Sequence, residues 1–324
     1  MNPPSATIDF SADIAGEEKT AALVTLLGAL KRLDYRFVTP TPATHRRVIG
    51  RATMQTARNL RDILGWSLPF APSAAPPEIL RLMRDAGIVT ERQGLLCSTV
   101  RVSSLGGELF LHSAFPPSAA DAVFFGPDSY RFANFLKAEL TSAEGGGVLL
   151  DIGTGSGVGA IVAAPLMRPD RVVMTDVNPA ALALAKANAA AAGVAAEFEL
   201  TKGLDGAPGA IDLIVANPPF MAGSGDRTYR DGGDMHGARL SLDWVAASVD
   251  RLAPNGLLLL YTGSAIVDGE DPFRRVVEDS LDGRPFELRY QELDPDIFGG
   301  QLSAPEYGDV ERIAAVGIAL RRLS

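Results

Sequence analysis

The sequence predicts an α/β protein in which a smaller domain precedes a doubly wound, Rossmann-like sheet. From Val148 onward, short apolar segments alternate with helical ones, a pattern typical of parallel strands that are connected by helices. Before residue 123, helical patterns lead into a strand-like region with a glycine pair. A length of 324 residues allows two domains. We therefore predict a domain at 1–122 that recognises substrate and a second domain at 123–324.

The first domain is predicted to contain helices followed by one β-hairpin. Leucines at helical spacing predict an amphipathic helix over 17–34. A second helical stretch is expected within 45–64, and 77–87 reads as a short helix that ends in glycine. Residues 94–115 predict two strands joined at 106–107. This order of elements is similar to a winged helix.

The second domain is predicted to be a sheet with helices on both faces. The strands are expected at 148–152, 171–176, 196–200, 211–217, 256–263, 285–292 and 312–320, and the helices after the first strand, at 178–193, around 236–252 and around 271–281. Ligands of such sheets bind outside the carboxyl ends of the strands. We therefore expect the chain after Asp151, Asp176, Leu200 and Asn217 to meet at one crevice.

Composition excludes several classes of site. The single Cys97 excludes an internal disulfide and a cysteine-based zinc cluster. The three histidines lack metal-ligand spacing, so we predict no metal site. No apolar run approaches the roughly 20 residues that span a bilayer. The first ten residues lack a signal-peptide pattern. A cytoplasmic enzyme is the default expectation.

Charge is divided unevenly along the chain. Residues 1–125 carry a net +2 and residues 126–324 a net -11. An acidic second half is unsuited to broad contact with phosphate backbones. The first half holds a basic patch, which is either a surface that contacts RNA phosphates or an ordinary solvated helix face. Its members are Arg46, Arg47, Arg51, Arg58 and Arg61.

The first predicted strand leads into a glycine-rich turn, DIGTGSG, at 151–157. Glycines allow a tight turn and close approach of a ligand to the backbone, and the N–H groups that open the next helix favour an anion. The dinucleotide fingerprint G-x-G-x-x-G fails from Gly153, since Val158 takes its last position. From Gly155 it reaches Ala160 and is only marginally acceptable.

Two acidic residues end the first two predicted strands. Asp151 would repel a pyrophosphate but suits a ligand with an ammonium group, and S-adenosylmethionine carries both an ammonium and a carboxylate. Asp176 can accept hydrogen bonds from two ribose hydroxyls, which serves NAD and S-adenosylmethionine equally. Asn178 and Pro179 read as the N-cap and first-turn proline of the next helix.

The fourth predicted strand stops abruptly at Asn217-Pro218-Pro219-Phe220. The prolines end the strand and hold the Asn217 side chain and the Pro218 carbonyl in fixed directions. Both groups accept hydrogen bonds, so together they can hold a planar NH₂ group with its lone pair towards an electrophilic methyl. Phe220 offers a flat face on which a base or an amide can stack.

Residues 121–324 resemble the class I S-adenosylmethionine-dependent methyltransferases, and more closely the HemK-type protein-glutamine and "small-domain" RNA methyltransferases. The resemblance rests on DIGTGSG, Asp176 and NPPF, with support from 124–136 and from a Gly-Gly segment at 229–245. It implies a seven-stranded sheet with the last strand antiparallel. The implied cofactor-binding residues are Asp151, Gly153, Thr154, Gly155, Gly157, Asp176 and Asn217; the implied catalytic residues are Asn217, Pro218, Pro219 and Phe220.

Two departures leave the substrate open. Lys202 or Gly203 stands where the family commonly has an Asp near the adenine, and NPPF replaces the NPPY usual in glutamine and adenine methylases. An RNA base is favoured over a protein glutamine, and a DNA base stays open. The alternatives from other classes are a nicotinamide oxidoreductase and an inactive cofactor-binding protein. A loop at 223–234 reads as a lid or a solvated loop, and 293–311 is expected near the acceptor pocket.

Overall fold

The structure is a computed structural model that describes residues 14–117, 119–141, 145–205, 209–222 and 232–324. Its residues fall into two compact units. The first holds the described residues up to Tyr130, with Gly155–Ile161 and Asn178–Ala195. The second holds Arg131–Thr154, Val162–Val177 and Ala196–Ser324. The predicted 1–122 and 123–324 domains remain a prediction.

The first unit begins with helices and continues with short strands. Its helices are α1 (Ile14–Arg32), α2 (Pro42–Ile49), α3 (Leu60–Leu64) and α4 (Pro77–Asp85), and its strands are β1 (Val89–Arg92), β2 (Leu95–Ser98), β3 (Val100–Leu105) and β4 (Glu108–Ser113). The core is built from the leucines of α1, which are fully buried, and from apolar residues of α4, β3 and β4. The predicted periodicity marks the buried face of α1 up to Leu30, whereas Leu33, beyond the end of the helix, is exposed.

The strand region of this unit differs from the prediction of one hairpin. Residues 95–105 are two strands that pair with different partners: β2 pairs with β1, and β3 pairs with β4. The break falls at Thr99, where the Ser98 hydroxyl bonds to the backbone of Val100. A change of hairpin partner leaves no mark on strand propensity, so the sequence alone did not show it. The glycine pair 106–107 does join two strands, β3 and β4.

The second half of the chain alternates between helix and strand as predicted. Its elements are α5 (Pro127–Glu139), β5 (Val148–Ile152), α6 (Val158–Met167), β6 (Arg171–Asp176), α7 (Pro179–Ala191), β7 (Glu197–Leu200), β8 (Ile211–Ala216), α8 (Arg239–Val249), β9 (Leu252–Ile266), α9 (Pro272–Leu281), β10 (Phe286–Asp294) and β11 (Arg312–Arg322). Helix α7 is part of the first compact unit. Its N-cap is Asn178, whose Oδ1 accepts from the Ala180 N–H at 2.9 Å, as predicted.

The second unit contains a seven-stranded sheet in the order β10-β11-β9-β8-β5-β6-β7. Strands β9, β8, β5, β6 and β7 run parallel, and β11 is antiparallel to both of its neighbours. The predicted seven-stranded sheet with an antiparallel last strand is therefore confirmed. The central strands are buried along nearly their whole length, which is expected where helices cover both faces.

Parallel pairing places four strand ends at one edge of this sheet. Asp151 of β5 is in register with Met174 of β6 and with Val215 of β8, and Asp176 is in register with Leu200 of β7. The residues that follow these four strands therefore leave the sheet on the same side, as expected for a parallel sheet. Among the described residues, no helix has the length and apolar character to cross a membrane.

Candidate functional site

The turn after β5 is held by Asp151 and Thr154. Asp151 is 2 % exposed, and its Oδ2 accepts a hydrogen bond from the Thr154 hydroxyl at 2.6 Å. The Thr154 N–H donates to the carbonyl of Thr175, on β6, at 2.9 Å. Thr154 therefore fixes the turn through both its side chain and its backbone, and its predicted direct contact with a cofactor stays a prediction.

Glycine is required at the first position of this turn. Gly153 has φ +60°, a left-handed conformation that side chains disfavour. A Cβ there would also lie 2.6 Å from the Trp244 ring, which is buried at 8 % exposure on α8. Gly155 and Gly157 have positive φ as well, at +54° and +84°. The predicted tight turn is present, and Trp244 restricts its first residue.

The end of β6 presents Asp176 as a half-buried carboxylate. Its backbone carbonyl accepts from the Thr201 N–H at 3.0 Å, which ties the end of β6 to the residue after β7. Next along that segment, Lys202 is exposed and Gly203 is half-buried. The Gly203 carbonyl accepts from the Thr175 hydroxyl at 3.1 Å. Lys202 and Gly203 thus occupy the position where the family commonly has an Asp, and the structure places no carboxylate there.

The NPPF segment follows β8 directly. Asn217 is half-buried, Pro218 is buried and Pro219 is half-buried. Among the described residues, none forms a hydrogen bond with the Asn217 side-chain amide. A partly enclosed amide without a protein partner is unusual and is available to a ligand.

Phe220 is packed more tightly than the sequence suggests. It is 8 % exposed and makes edge contacts with Tyr261 and Phe298, at centroid distances of 6.3 and 5.7 Å. A Cβ on Gly263 would lie 2.4 Å from its ring. The ring is thus wedged against a glycine of β9, and its predicted role as a stacking platform stays a prediction.

Sequence reasoning missed two aromatic residues of the segment 295–311, which connects β10 to β11. Tyr307 is 2 % exposed, and its hydroxyl accepts from the Ala222 N–H at 2.7 Å. Phe298 packs on Phe220, and Asp309 accepts from His236 at 2.9 Å. This segment therefore contacts the chain at and just after NPPF directly, and its expected position near an acceptor pocket stays a prediction. The predicted 223–234 lid lies, up to residue 231, outside the described residues.

The basic patch is on the first unit. Its five arginines are exposed on α2, on α3 and in the segment between the two helices. Arg58 lies 3.5 Å from Asp62, whereas Arg46, Arg47 and Arg51 have no ion-pair partner in the described part of the chain. The Arg61 guanidinium lies over the Phe37 ring at 5.9 Å. Contact of these arginines with RNA stays a prediction.

Comparison with known proteins identifies the region that carries these features. Residues 125–263 match the family model described as "Methyltransferase small domain". Residues 125–263 belong to the methyltransferase small-domain family. This confirms the resemblance that DIGTGSG, Asp176 and NPPF predicted, and all of these residues lie within the matched domain.

Curated relatives of the methyltransferase domain include release factor glutamine methyltransferases, ribosomal RNA methyltransferases and ribosomal protein L11 methyltransferases. A release factor glutamine methyltransferase from Deinococcus radiodurans is 32% identical over 172 residues, which are 50% of this chain and 61% of the relative. Ribosomal RNA small subunit methyltransferase C from Serratia proteamaculans is 38% identical over 77 residues, 24% of this chain and 22% of that protein. The matches thus span between about half and three fifths of the length of the release factor glutamine methyltransferases.

Solved structures also resemble the chain. A methyltransferase from Pyrococcus furiosus aligns with a TM-score of 0.43 at 17% identity and covers 63% of this chain and 89% of that one.

The residues present fit the S-adenosylmethionine that the methyltransferase domain implies. Asp176 is accessible at the end of β6, where a carboxylate can accept from ribose hydroxyls. The glycine turn leaves its backbone open to close approach, and the Asn217 amide has no partner among the described residues. No residue of this set conflicts with the cofactor.

Proposed function

We propose that this protein transfers the methyl group of S-adenosylmethionine to a planar nitrogen of a macromolecule, with an RNA base favoured over a protein glutamine. The proposal depends on the side-chain amide of Asn217. Its half-buried side chain has no hydrogen-bond partner in the described part of the chain and leaves the same sheet edge as Asp151 and Asp176.

The cofactor contacts follow from the strand ends. Asp176 would accept hydrogen bonds from the ribose hydroxyls, and Asp151, at the start of the glycine turn, would supply negative charge for an ammonium group. The backbone of Gly153, Gly155 and Gly157 lets the ligand approach closely. S-adenosylmethionine supplies an electrophilic methyl group on a sulfonium.

The acceptor nitrogen is held by two oxygens. Asn217 Oδ1 and the Pro218 carbonyl each accept one hydrogen of the NH₂ group, which directs the nitrogen lone pair at the methyl carbon. The N–C bond forms as the S–C bond breaks, and the extra proton then leaves the nitrogen for water. No base has to act first, so orientation and electrostatic stabilisation by these two acceptors supply the rate.

Two observations bear on the acceptor. The exposed arginines of the first unit can pair with phosphates, which favours RNA. The release factor glutamine methyltransferase of Deinococcus radiodurans matches half of this chain, which favours a glutamine. The acidic charge of residues 126–324 leaves the first unit as the source of attraction for a nucleic acid.

One labelling experiment tests both acceptors. The protein is incubated with radiolabelled S-adenosylmethionine and an extract of its own cells, and the products are digested with ribonuclease or protease. We expect ribonuclease to remove the label. Label that survives ribonuclease and disappears with protease would overturn the RNA acceptor in favour of a protein glutamine.

Calorimetry tests the reaction class. We expect S-adenosylmethionine and S-adenosylhomocysteine to bind and NADH not to bind. Binding of NADH alone would replace the proposal by a nicotinamide oxidoreductase. Cofactor binding without labelling of RNA, DNA or protein would instead indicate a binding protein that has lost activity.

A further inference from the structure

The first unit contains a buried arginine that has no carboxylate partner among the described residues. Arg101, on β3, is 5 % exposed. Its Nε donates to the Ser113 carbonyl at 3.2 Å, and its guanidinium lies over the Phe115 ring at 5.8 Å. Its charge interactions within the described residues are with two tyrosines, Tyr35 and Tyr130, and with two histidines. A buried cation is normally paired with an anion, so Arg101 lacks the partner that its position calls for.

The two histidines near Arg101 cannot serve as that partner. His45 and His112 are both fully buried. Burial, aided by the charge of Arg101, lowers the pKa of His45 to about 4 and the pKa of His112 well below its ordinary value. Both rings are therefore neutral at pH 7. As neutral polar groups they reduce the cost of burying the guanidinium, but they do not cancel its charge.

Unsatisfied polar atoms gather in the same region. In the described part of the chain, the enclosed side-chain atoms without a partner are His45 Nδ1, Thr99 Oγ1 and His112 Nδ1. His112 faces Arg101 across the β3–β4 hairpin, His45 stacks on Phe115 at 4.0 Å, and the Thr99 carbonyl accepts from the Ala114 N–H. All three residues thus lie next to Arg101 or to the Phe115 ring beneath it.

The outer guanidinium atoms of Arg101 are not engaged by other described residues. Its Nε donates to the Ser113 carbonyl, and neither Nη atom donates to a described residue. A guanidinium with both Nη atoms uncommitted can present two parallel donors to an oxyanion.

The aromatic neighbours of Arg101 extend to the basic patch. Phe115 stacks on His45, whose ring is 5.1 Å from Trp66. His45 precedes Arg46 and Arg47 on α2, and both of these are exposed. Phe115 and Trp66 are both half-buried, so neither residue is fully enclosed. Basic side chains interleaved with accessible aromatic rings are typical of surfaces that bind single-stranded nucleic acid.

We propose that Arg101 is an anion-binding residue that takes a phosphate group of the acceptor RNA through its two Nη atoms. The anion site follows from the unpaired guanidinium alone, whereas the choice of phosphate rests on the proposed RNA acceptor. Arg46 and Arg47 then contact neighbouring phosphates, and Phe115 and Trp66 stack on adjacent bases.

Histidine NMR tests the site without any methyl donor. The chain has three histidines: His45 and His112 lie beside Arg101, and His236 pairs with Asp309 in the second unit. Inorganic phosphate is titrated against sodium chloride at constant ionic strength. We expect saturable shifts of the His45 and His112 ring signals and no saturable shift of His236, with a rise in the pKa of the first two rings. Absence of saturation, or equal movement of all three signals, would overturn the proposal.

Substitution then assigns the effect to Arg101. Arg101→Met should abolish the saturable shifts and weaken binding of a single-stranded RNA oligonucleotide, measured by fluorescence anisotropy, by about tenfold or more, in the range of lost hydrogen bonds to a charged group. Arg101→Lys should retain part of both effects. The control is Arg81→Met, since Arg81 is exposed on α4 and paired with Asp85. Phosphate shifts that persist in a folded Arg101→Met protein would show that another residue binds the anion.

A competing anion separates the site from the proposed function. If Arg101→Met does not fold, the wild-type titration still decides whether an anion binds. If acetate saturates the same histidine shifts at a lower concentration than phosphate does, the anion that binds is a carboxylate rather than a phosphate. That result would also overturn the RNA assignment. Phosphate binding together with methyl label in protein would leave the Arg101 site standing and remove the RNA acceptor. Label in RNA without phosphate binding would keep the RNA acceptor and overturn the Arg101 site.

Discussion

At the scale of single residues, Asn217 carries the proposed chemistry. Asn217→Ala should leave binding of S-adenosylmethionine nearly unchanged, because the side chain acts on the acceptor nitrogen. Turnover should fall by about 100-fold or more, the usual effect of removing one positioned acceptor or donor. Calorimetry and single-turnover labelling measure the two quantities. Asn134→Ala, on the exposed surface of α5, is the control, and near-normal turnover of Asn217→Ala would contradict the mechanism.

Asp176 should show the opposite pattern. Asp176→Ala removes the acceptor for the ribose hydroxyls, and lost charge-assisted hydrogen bonds cost about 1.5–3 kcal/mol, or about 10- to 150-fold in Kd. The turnover of protein saturated with cofactor should change much less. Asp282→Asn, an exposed acid after α9, is the matched control for loss of charge. Equal affinity for cofactor in wild-type and Asp176→Ala proteins would remove Asp176 from the site.

His45 makes the stability of the first unit depend on pH. Its pKa is about 4 in the folded protein and about 6.5 in an unfolded chain. Between these values the unfolded state binds a proton that the folded state does not, so the free energy of unfolding decreases as the pH falls from about 6.5 towards 4. Denaturant titrations of the wild type and of His45→Gln should diverge below pH 6.5. Parallel pH profiles of the two proteins would contradict this assignment.

At the scale of elements, β8 and β9 together determine where Phe220 lies. The prolines end β8, and Gly263 of β9 leaves the space that the ring fills. Gly263→Ala puts a methyl group into that space, and overpacking of this kind costs about 1–3 kcal/mol. We expect lower stability in denaturant and reduced turnover, because the shift of Phe220 moves Asn217.

The control for Gly263→Ala is Gly300→Ala. A Cβ at Gly300 meets no atom within 4 Å, so stability should change by no more than about 0.5 kcal/mol. Equal effects of the two substitutions would show that the packing of Phe220 on β9 does not matter for the site.

Some elements could be predicted from the sequence and others could not. β5 with its glycine turn, β6 with Asp176 and β8 with NPPF have local signals, since buried parallel strands are apolar along their length and stop at glycine, acid or proline. The division of 95–105 into β2 and β3 has no such signal. Each half pairs with its neighbour along the chain across a two-residue connection, β2 with β1 and β3 with β4, and two consecutive strands of similar composition look like one.

At the scale of the whole molecule, the separation of charge should control binding of nucleic acid. If RNA binds through the basic patch, its affinity should fall steeply with salt. Replacing Arg46 and Arg47 by Gln should reduce the magnitude of the log–log slope by about 0.7 for each phosphate that the protein no longer neutralises. Anisotropy titrations over a range of salt concentrations measure this slope. Arg274→Gln, in an i,i+4 pair with Glu278 in the second unit, should leave it unchanged.

The sequence by itself determined the class of protein and the positions of Asp151, Asp176 and Asn217 at one edge of a sheet. These follow from local patterns: apolar strands, the glycine turn, and the proline stop. Tertiary structure decided which residues surround those groups. Trp244 limits the glycine turn, Gly263 and residues far along the chain enclose Phe220, and Arg101 is buried with no acid beside it among the described residues. The reason is that burial and pairing depend on contacts between distant segments, whereas strand ends and turns depend on the residues that form them.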